Sequence, residues 1–276
     1  MPATNIIHAT IVSLYTLGTL LFFVGVLCRI DRAKKTAVTV AMVGFTFHTV
    51  SLGLWLSLES LAALPAGGYF EFLSWSVLGT FLILRWRLGI EFLALIASPL
   101  ALVLQLSSLP LYTARAIMPK SMAGLFFGLH VASLFTVLGL MAMAFGAGLV
   151  FLRLDYKIKS KEKLKGFHKD LPSLSVFDKV NLWAVTVSFP LYTLGLVSGF
   201  IWARATWGRM ITWDPKEMIS LAIWLMFGFL FHQRLACGWR GRKPAVWAVY
   251  IFVCLALSLI WINFFLPTHH SLLFKL

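Results

Sequence analysis

Charge is the first thing this chain has little of. Only 12% of its 276 residues are Asp, Glu, Lys or Arg, and 10 of these are acidic against 24 basic. Hydrophobic residues make up 60%, more than one soluble core of this size can hide, which excludes a water-soluble enzyme or binding module. Cysteine is scarce as well: Cys28, Cys237 and Cys254 stand far apart. Without a C-x-x-C there is neither a thiol-redox motif nor a structural zinc site, and without a C-x-x-C-H the chain carries no c-type haem of its own. Internal repeats and low-complexity tracts are missing, and no nucleophile with a companion base marks a catalytic centre.

What the chain has instead is a succession of apolar runs of about 20 residues, the length that crosses about 30 Å of hydrocarbon at 1.5 Å per residue. Eight such spans are read near 6–28, 37–57, 69–84, 88–106, 123–152, 180–203, 216–235 and 245–266. The fold class is therefore an all-α, polytopic membrane helix bundle, a single integral membrane domain over 1–276. The first run, "IIHATIVSLYTLGTLLFFVGVLC", lacks a basic n-region and a small-residue cleavage site, and reads as a retained helix. The third span opens "GYFEFLSW", which places Glu71 at the membrane interface.

The net charge of +14 does not point to nucleic acid, because the basic residues lie in short loops where they set topology. The breaks after spans 1, 3, 5 and 7 hold 18 of the 24 basic residues, among them Arg29, Arg85, Lys157 and Arg242. The opposite face holds Arg115, Lys120, Arg204, Arg209, Lys216 and Lys275. The positive-inside rule makes the first set cytoplasmic, so both termini face the outer side of a cytoplasmic (inner) membrane. The basic loop "RLDYKIKSKEKLKGFHKD" reads as a topology determinant drawn to anionic lipid, or as a dock for a cytoplasmic partner.

Seven histidines remain to be placed. His8 and His168 receive no role. His48 falls near mid-membrane, His130 below the outer end of span 5, His232 near the inner end of span 7, and His269 and His270 just past span 8. A lone histidine in a bundle is more often a hydrogen-bonded core group than a ligand, but intramembrane ionisable groups carry a functional presumption. His130 and the 269–270 pair share the outer face with the tryptophan-rich loop over 204–217, "RATWGRMITWDPKE". Within it Asp214 is a good N-cap, Pro215 suits the first helical turn and Glu217 can close a capping box. Trp207 and Trp213 exceed what capping needs; they serve as an interfacial belt or as stacking planes. With Arg204 and Arg209 beside them, two imidazoles across an aromatic cleft suit an iron porphyrin and its propionates.

The stretch "FPLYTLGLVSGFIWARATWGRMITWDPKEMISLAIWLMFGFLFHQRLACGWRGRKPA" closely resembles the core of the haem-handling cytochrome c assembly proteins of the CcsA/ResC type, relatives of CcmC, CcmF and HemX-like proteins. "GYFEFLSW" and "GLHVASLF" are similar to earlier family segments. The resemblance implies a haem-delivery subunit of a cytochrome c synthase complex, not itself catalytic. It would present haem b at the outer face for attachment to apocytochrome c. His130 and His270 match the two outer axial ligands of the iron, with Trp207, Trp213, Asp214, Arg204 and Arg209 around the haem; Ser271 after His270 sets that register. His232 matches one ligand of a haem in transit through the bilayer. The other would come from a ResB/CcsB-like membrane subunit, or from His48. Where family members carry aromatic residues this chain has Met210 and Ile211, which leaves a second role open: a HemX-like membrane regulator of glutamyl-tRNA reductase in tetrapyrrole synthesis.

Overall fold

The computed structural model describes residues 2–58, 64–111, 124–163, 169 and 171–262. Among these residues eight helices are long and apolar enough to cross a membrane. They are α1 (Pro2–Leu27), α2 (Asp31–Leu58), α3 (Ala66–Leu88), α4 (Ala94–Ser108), α5 (Leu125–Lys159), α6 (Leu174–Trp207), α7 (Pro215–Leu235) and α8 (Arg242–Leu257). A 3₁₀ turn, Leu109–Leu111, follows α4, and a π-helical turn, Ser258–Ile262, follows α8. The all-α membrane bundle read from the sequence is thus the observed architecture. Most span ends fall within a few residues of the helices, but α2 begins at Asp31 against 37 and α4 at Ala94 against 88. The end of span 8 lies outside the described residues, and α5 and α6 run well past their spans. At 35 and 34 residues these two are about 50 Å long and overshoot a hydrocarbon core of about 30 Å.

In hydrocarbon every polar backbone or side-chain group needs a partner inside the protein. The hydroxyls of Thr10, Thr39, Thr46, Thr49, Thr136 and Thr193 each donate to the carbonyl four residues earlier. Two of these hydroxyls then accept from indole N–H groups, Thr49 from Trp75 at 2.8 Å and Thr193 from Trp224 at 2.9 Å. Chain reversal needs left-handed backbone: α3 ends on Gly89 and α6 on Gly208, with φ of 67° and 74° and amides bonded to Arg85 O and Arg204 O.

The central helix is α5, and the small residues of "LGLMAMAFGAGLVF" explain why. A Cβ on Gly139 would meet Thr80 and the Ser76 carbonyl of α3, one on Gly146 would meet Ile96 of α4, and one on Gly148 the Ala245 carbonyl of α8. Two neighbours, α3 and α8, therefore approach α5 with their backbones, and α4 fills the space at Gly146 with the Ile96 side chain, as small residues allow in membranes. Its fourth neighbour, α6, makes the most extensive contact.

The four basic turns gather at one end. Lys34, Glu91 and Leu171 line a common cleft, which joins the first three of them. The fourth is tied in through Asp178 of α6, whose carboxylate accepts from Arg234 Nη1 and from the Gly241 amide, both at 2.8 Å. Arg242 lies 3.5 Å from Asp155 of α5. The starts of α1, α3 and α5 and the ends of α4 and α6 meet at the opposite end.

Glu71, on the second turn of α3, is buried within the protein. It is 3% exposed, enclosed by α1 and α4, with His8 Nδ1 at 2.7 Å and Gln105 Nε2 donating to it at 3.0 Å. A carboxylate can lie inside a bundle when donors from neighbouring helices take over from water.

Candidate functional site

At the end opposite the basic turns, α5 and α6 cross through a G-x-x-x-G pair. A Cβ on Gly195 would meet Leu134, and one on Gly199 would lie 2.5 Å from His130 Nδ1. The missing side chains let His130, on the second turn of α5, seat against the α6 backbone, where its Nδ1 lies 2.7 Å from Gly195 O. A carbonyl can only accept, so Nδ1 carries the hydrogen and Nε2 keeps its lone pair. A backbone carbonyl that fixes tautomer and ring orientation is the support that metal-ligating histidines require. His130 is only partly buried.

Aromatic rings surround it. Trp202 lies nearly parallel to the imidazole, with centroids 6.5 Å apart at 20°. Trp202 also packs on Phe127 at 5.2 Å and receives the edge of Trp207 at 5.2 Å. Tyr69 of α3 closes the far side against Phe127 at 6.4 Å. These residues form an apolar cluster of their own, at the end of α6 where Arg204, in its last turn, and Arg209, past Gly208, are exposed.

Past Gly208 the chain reverses into α7. Asp214 caps that helix: its carboxylate accepts from the Lys216 amide at 2.8 Å, with Pro215 at the first helical position, a cap of the kind that contributes about 0.5–2 kcal/mol. Glu217 does not complete the reciprocal capping box. It reaches further back, accepting from both the amide and the hydroxyl of Thr212 at 2.8 Å, and so ties the loop to the helix. Trp213, between those two anchors, adopts a left-handed φ of 60° and is 76% exposed.

The structure therefore brings together His130 and Trp207 among the expected site residues, through Trp202. It holds Asp214 as a cap and leaves Arg204, Arg209 and Trp213 on the surface nearby. His269 and His270 lie outside the described residues. His232 sits at the opposite end, exposed in the last turn of α7, with Cys237 Sγ 4.0 Å from its Nδ1. His48 is packed in the core, and its Nδ1 is 2.8 Å from the Tyr15 hydroxyl. Trp202, Phe127, Tyr69 and Gly199 went unnoticed in the sequence. The Gly195–Gly199 spacing was the available signal, since G-x-x-x-G in an apolar helix marks a close crossing.

Substituting Gly199 with Ala should displace the imidazole, because the new methyl and Nδ1 cannot both occupy their places. We expect the variant to accumulate and fold with the His130 Nδ1–Gly195 O bond broken, read as a shift of the His130 ring-proton resonance.

Residues 63–270 match the family described as "Cytochrome C assembly protein". The chain belongs to that family. Among its relatives is "Cytochrome c biogenesis protein CcsA" of Gloeothece citriformis, 36% identical over 110 residues, or 37% of this chain and 34% of the relative. The proteins of that name from Gloeobacter violaceus and Synechococcus sp. (strain CC9605) are 37% identical over 94 residues and 42% over 86. Those alignments cover 34% and 31% of this chain, and 28% of each relative. The matched stretch thus spans about a third of each relative's length. Helices α1 and α2 precede the family segment.

Proposed function

We propose that this chain binds haem b at the aromatic end of the bundle and presents it for attachment to apocytochrome c. The observation that carries this reading is the His130 tautomer: Gly195 O holds the Nδ1 hydrogen, so Nε2 offers its lone pair beside the Trp202–Trp207 cluster. His270 is the second axial ligand in this reading. Trp207 and Trp202 supply flat apolar surface to the macrocycle, and Arg204 and Arg209 pair with the propionates. Bound haem contributes the vinyl groups that become thioethers. The chain contributes ligation, orientation and shielding. His232 fits a second, transit role: it faces outward from α7 at the basic end, where a ResB/CcsB-like subunit would supply the opposing ligand.

The same reading assigns the membrane and its sides. By the positive-inside rule the end where the basic turns gather is the cytoplasmic one in a cell inner (cytoplasmic) membrane, and the aromatic end is the outer one. Arg209→Cys should therefore react with a membrane-impermeant maleimide on intact cells, while Cys28 and Cys237 should need lysis. Labelling of position 209 only after lysis would reverse the orientation.

A second role has one specific observation in its favour. Met210 and Ile211, at positions where the family resemblance leads one to expect aromatic residues, are exposed and not aromatic. A HemX-like regulator of glutamyl-tRNA reductase would tolerate that change. Deleting the chain separates the two: loss of haem-bearing c-type cytochromes supports delivery, whereas normal cytochromes with an altered reductase level support regulation.

A further inference from the structure

The α1–α4 half of the bundle contains ionisable groups that the haem reading does not use. His8, the seventh residue of α1, is 8% exposed, with Nδ1 2.7 Å from Glu71 Oε1. Gln105 of α4, wholly buried, donates to the same carboxylate oxygen at 3.0 Å. Two turns deeper along α1, the Tyr15 hydroxyl bonds His48 Nδ1 of α2 at 2.8 Å, and His48 lies within electrostatic reach of both Glu71 and His8. Among the described residues, the titratable groups facing the pair include Tyr15 from α1 and His48 from α2. From α4 it is faced by the uncharged Gln105. Tyr69 of α3 turns away to Phe127 of α5.

Packing alone does not account for this cluster. Ionisable groups inside a bilayer are costly and mark pathways for ions or protons. An independent observation points to a ligand: Gln105 Oε1 and His48 Nε2 are buried with no hydrogen-bond partner, on residues 0% and 1% exposed. Orphaned polar atoms at that depth are where water or hydronium is bound. Moreover, His8 is only about 9 Å along the axis from the first residue of α1, within reach of the aqueous phase at that end.

We propose that His8 and Glu71 form a proton-exchanging site within the α1–α4 half, loaded from the end at which α1 and α3 begin. In the loaded state an imidazolium lies against the Glu71 carboxylate as an ion pair, with Nδ1 2.7 Å from Oε1, and the pair is neutral. On release the imidazole gives up one proton and the pair carries one negative charge. Gln105 keeps its bond to the carboxylate in both states. The Tyr15–His48 pair closes the inner end of the polar stretch. The site is independent of haem ligation, because none of its groups approaches His130.

Infrared difference spectra of the purified full chain in lipid nanodiscs, stepped between about pH 5 and 8, test this directly. The wild-type chain should show imidazole and carboxylate bands that change together with one midpoint, and whose imidazole component shifts promptly in D2O. The site's bands are read as the wild-type minus His8→Gln difference, in which the other six histidines cancel; Glu71→Gln, which is isosteric and keeps the Gln105 contact, should abolish both. Wild-type spectra need no substitution, so a poorly folding variant leaves the test of the coupled change intact. Wild-type spectra without a coupled change, an imidazole band that resists deuteration, persistence of either band in Glu71→Gln, or a response to sodium at constant pH would each overturn the proposal.

Discussion

Replacing Asp178 with Ala is expected to cost about 3–5 kcal/mol of stability, the range for removing one partner of a buried ion pair. The arginine side chain left behind is only 2% exposed. In the intact chain Arg234 donates from Nη1 to the Asp178 carboxylate at 2.8 Å and to Trp239 O at 2.9 Å, and from Nη2 to Asp178 O at 3.0 Å. The same carboxylate also receives the Gly241 amide. One aspartate thus joins the start of α6, the end of α7 and the turn into α8, and its loss orphans a charge and a backbone N–H together. Thermal unfolding of the purified variant in detergent should show a midpoint well below that of the wild type, or no folded protein. Asp178→Asn, which keeps an acceptor and loses the charge, should fall between. An Asp178→Ala midpoint equal to the wild type would show that the latch contributes nothing.

His130→Ala is expected to remove most bound haem while leaving the amount of folded chain unchanged. The reasoning separates the two outcomes. His130 is partly buried, and its one hydrogen bond is to a carbonyl that also accepts from the Ser198 hydroxyl at 3.1 Å, so Gly195 O keeps a partner and the fold loses little. Haem would lose an axial nitrogen, which no neighbouring side chain replaces. Added imidazole can enter the vacated space and should restore part of the haem signal. His270→Ala should give the same defect and the same partial rescue. A His130→Ala chain that keeps its haem would place the ligand elsewhere.

Fold and site were legible to different degrees, for physical reasons. Hydrocarbon thickness and the cost of unpaired backbone groups leave helices as the one reading of repeated 20-residue apolar runs, so the eight spans were plain. The cap at Asp214 was equally plain, because capping chemistry is local in sequence. The enclosure of Glu71 was not legible, since its partners His8 and Gln105 lie 63 residues before it and 34 after it, and such pairing leaves no local trace. Trp202 was passed over for the same reason. Nothing in "FIWARATW" states that its indole stacks on a histidine of another helix, whereas Trp207 stood out by sitting in the loop motif.

The absorption spectrum of the purified wild-type chain, with haem counted per polypeptide, tests the central claim most directly. The account predicts that the chain carries haem b in a fixed ratio, with the low-spin spectrum of iron held between two imidazoles, and that the spectrum is lost in His130→Ala. A correctly folded wild-type chain that carries no haem, and takes up none when haem is added, would contradict it.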